Sequence, residues 1–222
     1  MSQTVRGASS EPLQDSAEVY EDKVVIRLIQ FSVIWAIIAM SAGVYISAEL
    51  LWPGIDFGQF WLSFGRLRPL HTNGIIFGFG VSALMATAFY SVQRTSHVRL
   101  FLPRLAWFCA YAWQLIMLLG GLSLLAGWTS SKEYAELEWP FDIAIALVWV
   151  LFGVVFFGTI ATRKIRPIYI SNWFYGALII VIAMLHIVNN LAIPCLPWWS
   201  ELKTRLKTPC APERRRGWRL CV

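Results

Sequence analysis

Five continuous stretches of apolar residues divide this 222-residue chain. Each is about 20 residues long or longer, which at about 1.5 Å per residue lets an α-helix cross roughly 30 Å of hydrocarbon. The stretches do not alternate apolar and polar positions, so a membrane β-barrel is excluded. The pattern predicts an all-α, polytopic membrane helical bundle with five transmembrane helices near residues 24–48, 70–92, 105–127, 141–161 and 173–193.

Composition agrees with a membrane protein. Hydrophobic residues make up 57% of the chain and charged residues only 14%, whereas soluble domains carry about 25% charged residues. The first apolar stretch is too long and too far from the start to be a cleaved signal peptide, so we expect it to be retained as a helix. We also predict membrane lipid as a partner and no nucleic-acid partner.

Charged loops predict the orientation in the membrane. The loops after the second and fourth helices hold six Lys and Arg residues, and the loops after the first and third hold three. Because Lys and Arg accumulate in cytoplasmic loops, the N-terminus is predicted to be cytoplasmic. Residues 1–23 are then a polar cytoplasmic leader, and residues 24–193 form the membrane domain.

Residues 194–222 form an atypical tail that breaks this charge rule. Five helices place the tail outside, yet residues 201–222 carry seven Lys and Arg. We expect a tail that is not the natural continuation of the helical part, as after a frameshift or truncation. The alternative is a true basic extension that contacts lipid headgroups or a partner.

A histidine lies at the outer end of the second helix, in the stretch "GRLRPLHTNGIIFGFG". Pro69 suits a first helical turn, and counting by three and four from His71 reaches Gly74, Gly78 and Ser82. Such a small-residue face favours close helix packing. It also leaves room for a flat cofactor, because imidazole is an axial ligand of haem iron.

Other polar residues leave several interpretations open. Arg66 and Arg68 suit the acidic edge of a haem, because guanidinium groups make charge-assisted bonds to carboxylates. His186 in the fifth helix is a second ligand, a proton-relay member or a histidine satisfied by interhelical hydrogen bonds. The acidic loop, defined by Glu133, Glu136 and Glu138, either binds a hard cation such as calcium or is simply solvated.

Three stretches identify a family resemblance. From Lys23 to Pro194 the chain closely resembles the N-terminal part of the catalytic subunit I of cbb3-type cytochrome c oxidases, in the haem-copper oxidase superfamily. The resemblance implies a bacterial inner-membrane oxidoreductase. It takes electrons from cytochrome c-carrying subunits, reduces dioxygen to water and translocates protons. The stretches are "FGRLRPLHTN", "SKEYAELEWP" and "RPIYISNWFYGALIIVIAMLHIVNNLAIP".

The resemblance also implies site residues. His71 matches an axial ligand of the low-spin haem b, Arg66 and Arg68 match arginines near the haem propionates, and Glu133 matches an acidic residue of a calcium site. The family places the ligands of the high-spin haem b and of copper, and the second axial ligand of the low-spin haem, on later helices. We therefore assign no catalytic residue here and expect a catalytically incomplete chain.

Two other functions remain open. A nitric oxide reductase-type subunit of the same superfamily shares the histidine of the second helix. A non-catalytic membrane interaction module, free of haem, would bind other subunits through its glycine faces. Within the haem interpretation, His186 could also pair with His71 as a second axial ligand, although the family gives it no such role.

Overall fold

The computed structural model describes residues 20–129 and 136–191. The prediction of an all-α membrane bundle is confirmed, because five helices within these residues are long and apolar enough to cross a membrane. The leader up to residue 19, Glu133 and the tail from residue 192 lie outside the described residues. The helices are α1 (Asp22–Leu51), α2 (Phe64–Ser96), α3 (Pro103–Ala126), α4 (Trp139–Ala161) and α5 (Ile170–Asn190).

Helix α2 begins earlier than the sequence predicted. Its first residue is Phe64, and Pro69 lies inside the helix, so the placement of Pro69 in the first turn is wrong. The helix starts where Glu49 of α1 accepts a hydrogen bond at 2.8 Å from the backbone N–H of Phe64. This bond satisfies one of the N–H groups that a helix start leaves unpaired. Arg66 and Arg68 therefore stand on a helix rather than in a loop.

Helix α3 is the most buried of the five described helices. In the most apolar stretch of α3, 56% of the residues are buried, against 28% in that of α1 and 17% in that of α5. Apolar side chains of α1 and α5 consequently point outward, as lipid contact requires. The interior contains five buried aromatic rings among smaller apolar side chains, namely Phe89, Trp113, Trp149, Phe152 and Phe156.

The start of α1 contacts the turn between α2 and α3 and the adjoining ends of both helices. Glu21 forms an ion pair with Arg99, and its carboxylate accepts a hydrogen bond from the indole of Trp107 at 3.2 Å. Asp22 pairs with Arg94 at 2.8 Å. Glu21, in the segment predicted to be a polar leader, therefore packs against the bundle, and its side chain is only 12% exposed.

Candidate functional site

His71 lies in the second turn of α2, half-buried against α1. Its Nδ1 atom is 2.7 Å from the backbone carbonyl oxygen of Ala39. A carbonyl can only accept, so Nδ1 carries the hydrogen and Nε2 keeps its lone pair in the neutral ring. No hydrogen bond from a described residue reaches Nε2. Metal-binding histidines typically show this arrangement, with one nitrogen bonded to a carbonyl and the other left for the metal.

The glycine face of α2 packs against α1. A Cβ atom added to Gly74 would lie 2.8 Å from Cβ of Ala39, and one added to Gly78 would lie 2.7 Å from the indole of Trp35. Of the two interpretations of this face, the structure supports close helix packing. The expectation that Gly74 and Gly78 provide clearance for a haem is wrong, because α1 already occupies that space.

A π-helical segment covers Gly74–Val81 within α2. A π-helix bonds each N–H to the carbonyl five residues earlier, so a face counted by three and four does not stay in line through it. Side chains from both neighbours donate to carbonyl groups of this segment. Trp113 of α3 donates to Phe77 at 3.0 Å, and Ser32 of α1 donates to Phe79 at 3.1 Å. The segment that follows His71 is thus held from two sides.

Arg66 reaches from α2 to the end of α3. Its Nη1 donates to the carbonyl oxygen of Leu125 at 2.9 Å, and its guanidinium lies 5.2 Å above the ring of Phe60. Gly127 ends α3 with a φ of +90°, and a Cβ atom there would lie 2.6 Å from Cζ of Arg66. The cation therefore meets the negative end of the helix dipole. Arg68 is exposed at the same end of α2.

The described part of the acidic loop is joined to α2 close to His71. Asn73, two residues after the histidine and almost fully buried, donates to the carboxylate of Glu136 at 3.1 Å. The interpretation of a simply solvated loop is therefore wrong for Glu136. Sequence reasoning missed Asn73, although a polar residue inside an apolar helix is a signal of an interhelical partner.

His186 belongs to a polar cluster between α4 and α5. Its Nε2 donates to the backbone carbonyl oxygen of Asp142 at 2.9 Å, and its Nδ1 accepts from Asn190 at 3.1 Å. The Asn190 amide also donates to the Asp142 carboxylate at 3.0 Å. The interpretation as a histidine satisfied by interhelical hydrogen bonds is confirmed. The interpretation of His186 as a second axial ligand is wrong, because neither ring nitrogen of His186 has a lone pair left for iron.

Metal-binding side chains are otherwise dispersed in this part of the protein. Within residues 20–129 and 136–191, no three His, Cys, Asp or Glu side chains come together as a metal site. Near the outer end of α2, Nε2 of His71 can therefore act as a single ligand, but these residues do not complete a metal site. Chemically, such a nitrogen could supply one ligand to a metal held jointly with other groups.

Comparison with known proteins shows what this chain is similar to. The chain is 56% identical over 179 residues to the cbb3-type cytochrome c oxidase subunit CcoN1 of Stutzerimonas stutzeri, covering 81% of this chain and 38% of that protein. It is 48% identical over 182 residues to cytochrome c oxidase subunit 1 of Rhodobacter capsulatus, covering 81% of this chain and 34% of that protein. The chain thus spans well under half the length of these relatives.

A family model provides the assignment. Residues 23–209 match the model of cytochrome c and quinol oxidase polypeptide I. This match continues past Pro194, where the sequence analysis expected the resemblance to end, into the predicted atypical tail. Most of the chain is matched, and its similarity to cbb3-type subunits includes the helix that carries His71. The protein therefore belongs to the cytochrome c and quinol oxidase polypeptide I family.

Proposed function

We propose that this chain provides one side of a low-spin haem b site in a cbb3-type cytochrome c oxidase, with Nε2 of His71 as an axial ligand of the iron. The observation that carries the proposal is the state of the His71 ring. Its Nδ1 donates to the Ala39 carbonyl at 2.7 Å, which leaves Nε2 as the basic nitrogen. When bound there, the haem accepts and passes on one electron at a time.

The residues around His71 supply the surroundings of this site. We propose that Arg66 and Arg68, five and three residues ahead of the histidine on α2, face the haem propionates, since guanidinium groups pair well with carboxylates. The anchoring of Arg66 on the end of α3 supports this role by holding its charge at the outer lip of the bundle. Glu133 is proposed as a calcium ligand, on the family resemblance alone.

The reaction of the whole enzyme is proposed from the relatives. It would pass electrons from cytochrome c-carrying subunits through haem b to a centre that reduces dioxygen to water, with proton translocation. By resemblance, the high-spin haem and copper ligands lie on helices beyond those described here. We therefore propose that these 222 residues act in electron transfer and do not reduce oxygen by themselves.

The proposed location is a bacterial inner membrane with the N-terminus on the cytoplasmic side. Six Lys and Arg lie in or beside the loops after α2 and α4, at the end of the bundle where α1 begins, namely Arg94, Arg99, Arg104, Arg163, Lys164 and Arg166. Arg94 and Arg99 bind Asp22 and Glu21 at that end. Accumulated positive charge favours the cytoplasmic side for this end.

The two alternative functions have less support. The relatives described above are named as oxidases, which favours an oxidase over a nitric oxide reductase-type subunit. A haem-free interaction module agrees with the packing of Gly74 and Gly78 but gives no reason for the bare Nε2 of His71. Haem binding distinguishes the proposed haem site from the haem-free interaction module.

The test is a pyridine haemochrome assay with a reduced-minus-oxidised difference spectrum on the detergent-purified full chain. We expect a b-type signal that is lost in a His71→Ala variant. His97→Asn is the matched control, because it removes a histidine at the opposite end and Asn tolerates the left-handed backbone there, where φ is 52°. Wild-type protein without haem, or an unchanged signal in His71→Ala, would overturn the proposal.

A further inference from the structure

Helix α1 approaches the ring of His71 through two residues one turn apart, Ala39 and Gly43. The carbonyl oxygen of Ala39 accepts the hydrogen of Nδ1 at 2.7 Å. Residues four apart lie above each other on one helix face. Gly43 is therefore next to the point where the ring meets α1.

Gly43 leaves the space that the ring fills. A Cβ atom on Gly43 would lie 2.6 Å from Cε1, 2.8 Å from Nδ1 and 3.3 Å from Nε2 of His71. Cβ atoms essentially never approach other heavy atoms to less than 3.0 Å. All three atoms belong to a rigid planar ring, so relief requires the whole ring to rotate or move away from the Ala39 carbonyl.

We propose that Gly43 is a positioning residue that sets the tautomer and the orientation of the His71 ring, so that Nε2 is the nitrogen presented to iron. The inference rests on the proposed haem ligation and deepens it, because the resemblance assigns His71 but not what holds its ring. A hydrogen bond on the second nitrogen of a ligating histidine fixes the ring plane and raises the basicity of the metal-binding nitrogen.

The primary test reads the ring without any haem. The full chain is labelled with 15N-histidine, and His71 is assigned by the resonances missing in a His71→Gln variant. We expect hydrogen on Nδ1 and a bare Nε2 in the wild type, and loss of this preference in Gly43→Ala. Hydrogen on Nε2 in the wild type would overturn the proposal.

Gly78→Ala is the matched control within the same α1–α2 interface. Its added Cβ meets the indole of Trp35 at 2.7 Å and not His71. We expect Gly78→Ala to loosen the packing of the two helices yet to keep the His71 tautomer. An equal effect of both variants on the tautomer would mean that Gly43 acts through packing alone, and the proposal would be wrong.

The second readout uses the haem-loaded chain. Loss of such a second-nitrogen partner weakens metal binding by about 10- to 100-fold, so we expect that loss of haem affinity in Gly43→Ala. With imidazole added as the second axial ligand that these helices lack, the remaining haem should show altered low-spin EPR g-values and a changed midpoint potential, with both unchanged in Gly78→Ala. Wild-type affinity and g-values in Gly43→Ala would overturn the inference. If the wild type binds no haem, the proposed function fails and the tautomer comparison decides the inference by itself.

Discussion

The indole nitrogen of Trp113 in α3 lies 3.0 Å from the carbonyl oxygen of Phe77, inside the π-helical segment of α2. The contact joins the most buried of the described helices to the segment that directly follows His71. Trp113 is almost completely buried, with 1% of its surface exposed. Its N–H group therefore has no water available as a substitute partner.

Replacing Trp113 by Phe removes the donor and keeps an aromatic ring. We expect a loss of about 1–3 kcal/mol in the free energy of unfolding, because the Phe77 carbonyl loses its partner from α3. Unfolding in mixed detergent and SDS would measure this loss. We also expect weaker haem binding, because the π segment is released.

Trp149→Phe is the control for the Trp113 prediction. Trp149 of α4 is buried and donates to the carbonyl oxygen of Ile179 at 2.9 Å, away from α2. A similar loss of stability is expected, but with normal haem binding. If both variants weakened haem binding equally, the link between the π segment and the site would be refuted.

Two glycines of α2 are expected to respond in opposite ways to alanine. Gly78→Ala should lower the free energy of unfolding by about 1–3 kcal/mol, because overpacking forces Trp35 or the helix itself to move. Gly65→Ala adds a Cβ with nothing within 4 Å, so it should be neutral or gain up to about 0.5–1 kcal/mol. Thermal unfolding in one detergent would compare them. Equal losses would contradict the packing found for Gly78.

Arg66 and Gly127 should be energetically coupled. In the wild-type background, Gly127→Ala places a side chain on a left-handed backbone and brings the added Cβ to 2.6 Å from Cζ of Arg66. In an Arg66→Ala background only the backbone strain of about 1–2 kcal/mol remains. A double-mutant cycle of unfolding free energies should therefore give a coupling of about 0.5–3 kcal/mol. Strictly additive values would show that the guanidinium does not rest on Gly127.

His186 is expected to matter for helix packing and not for haem. His186→Gln should keep the haem content of the wild type, because both ring nitrogens are already hydrogen-bonded. Asn190→Leu should cost about 1–3 kcal/mol of stability, because it takes a donor from both Asp142 and His186. Asn189→Leu, at the exposed neighbouring position, serves as control. Loss of haem in His186→Gln would contradict this prediction and indicate that His186 is an iron ligand.

Sequence reasoning located the elements well because membrane crossing imposes a simple condition on composition. Continuous apolar stretches predicted all five helices, since the backbone of a lipid-exposed segment must satisfy its own hydrogen bonds. It failed at the start of α2, where Pro69 suggested a helix start. A carboxylate of α1, Glu49, starts that helix at Phe64 instead. Such a partner, 15 residues away in sequence, leaves no local signal.

The sequence was sufficient to predict an all-α membrane protein with five helices, the place of His71 at one end of the second helix, and the family resemblance. The surroundings of these residues follow from the tertiary structure. Gly74 and Gly78 pack against α1, and His186 is hydrogen-bonded to Asp142 and Asn190. Nδ1 of His71 is hydrogen-bonded to α1, which leaves Nε2 as the nitrogen with a free lone pair. The reason is physical: helix formation depends on nearby residues, whereas the role of an intramembrane polar group depends on its partner across the helix interface.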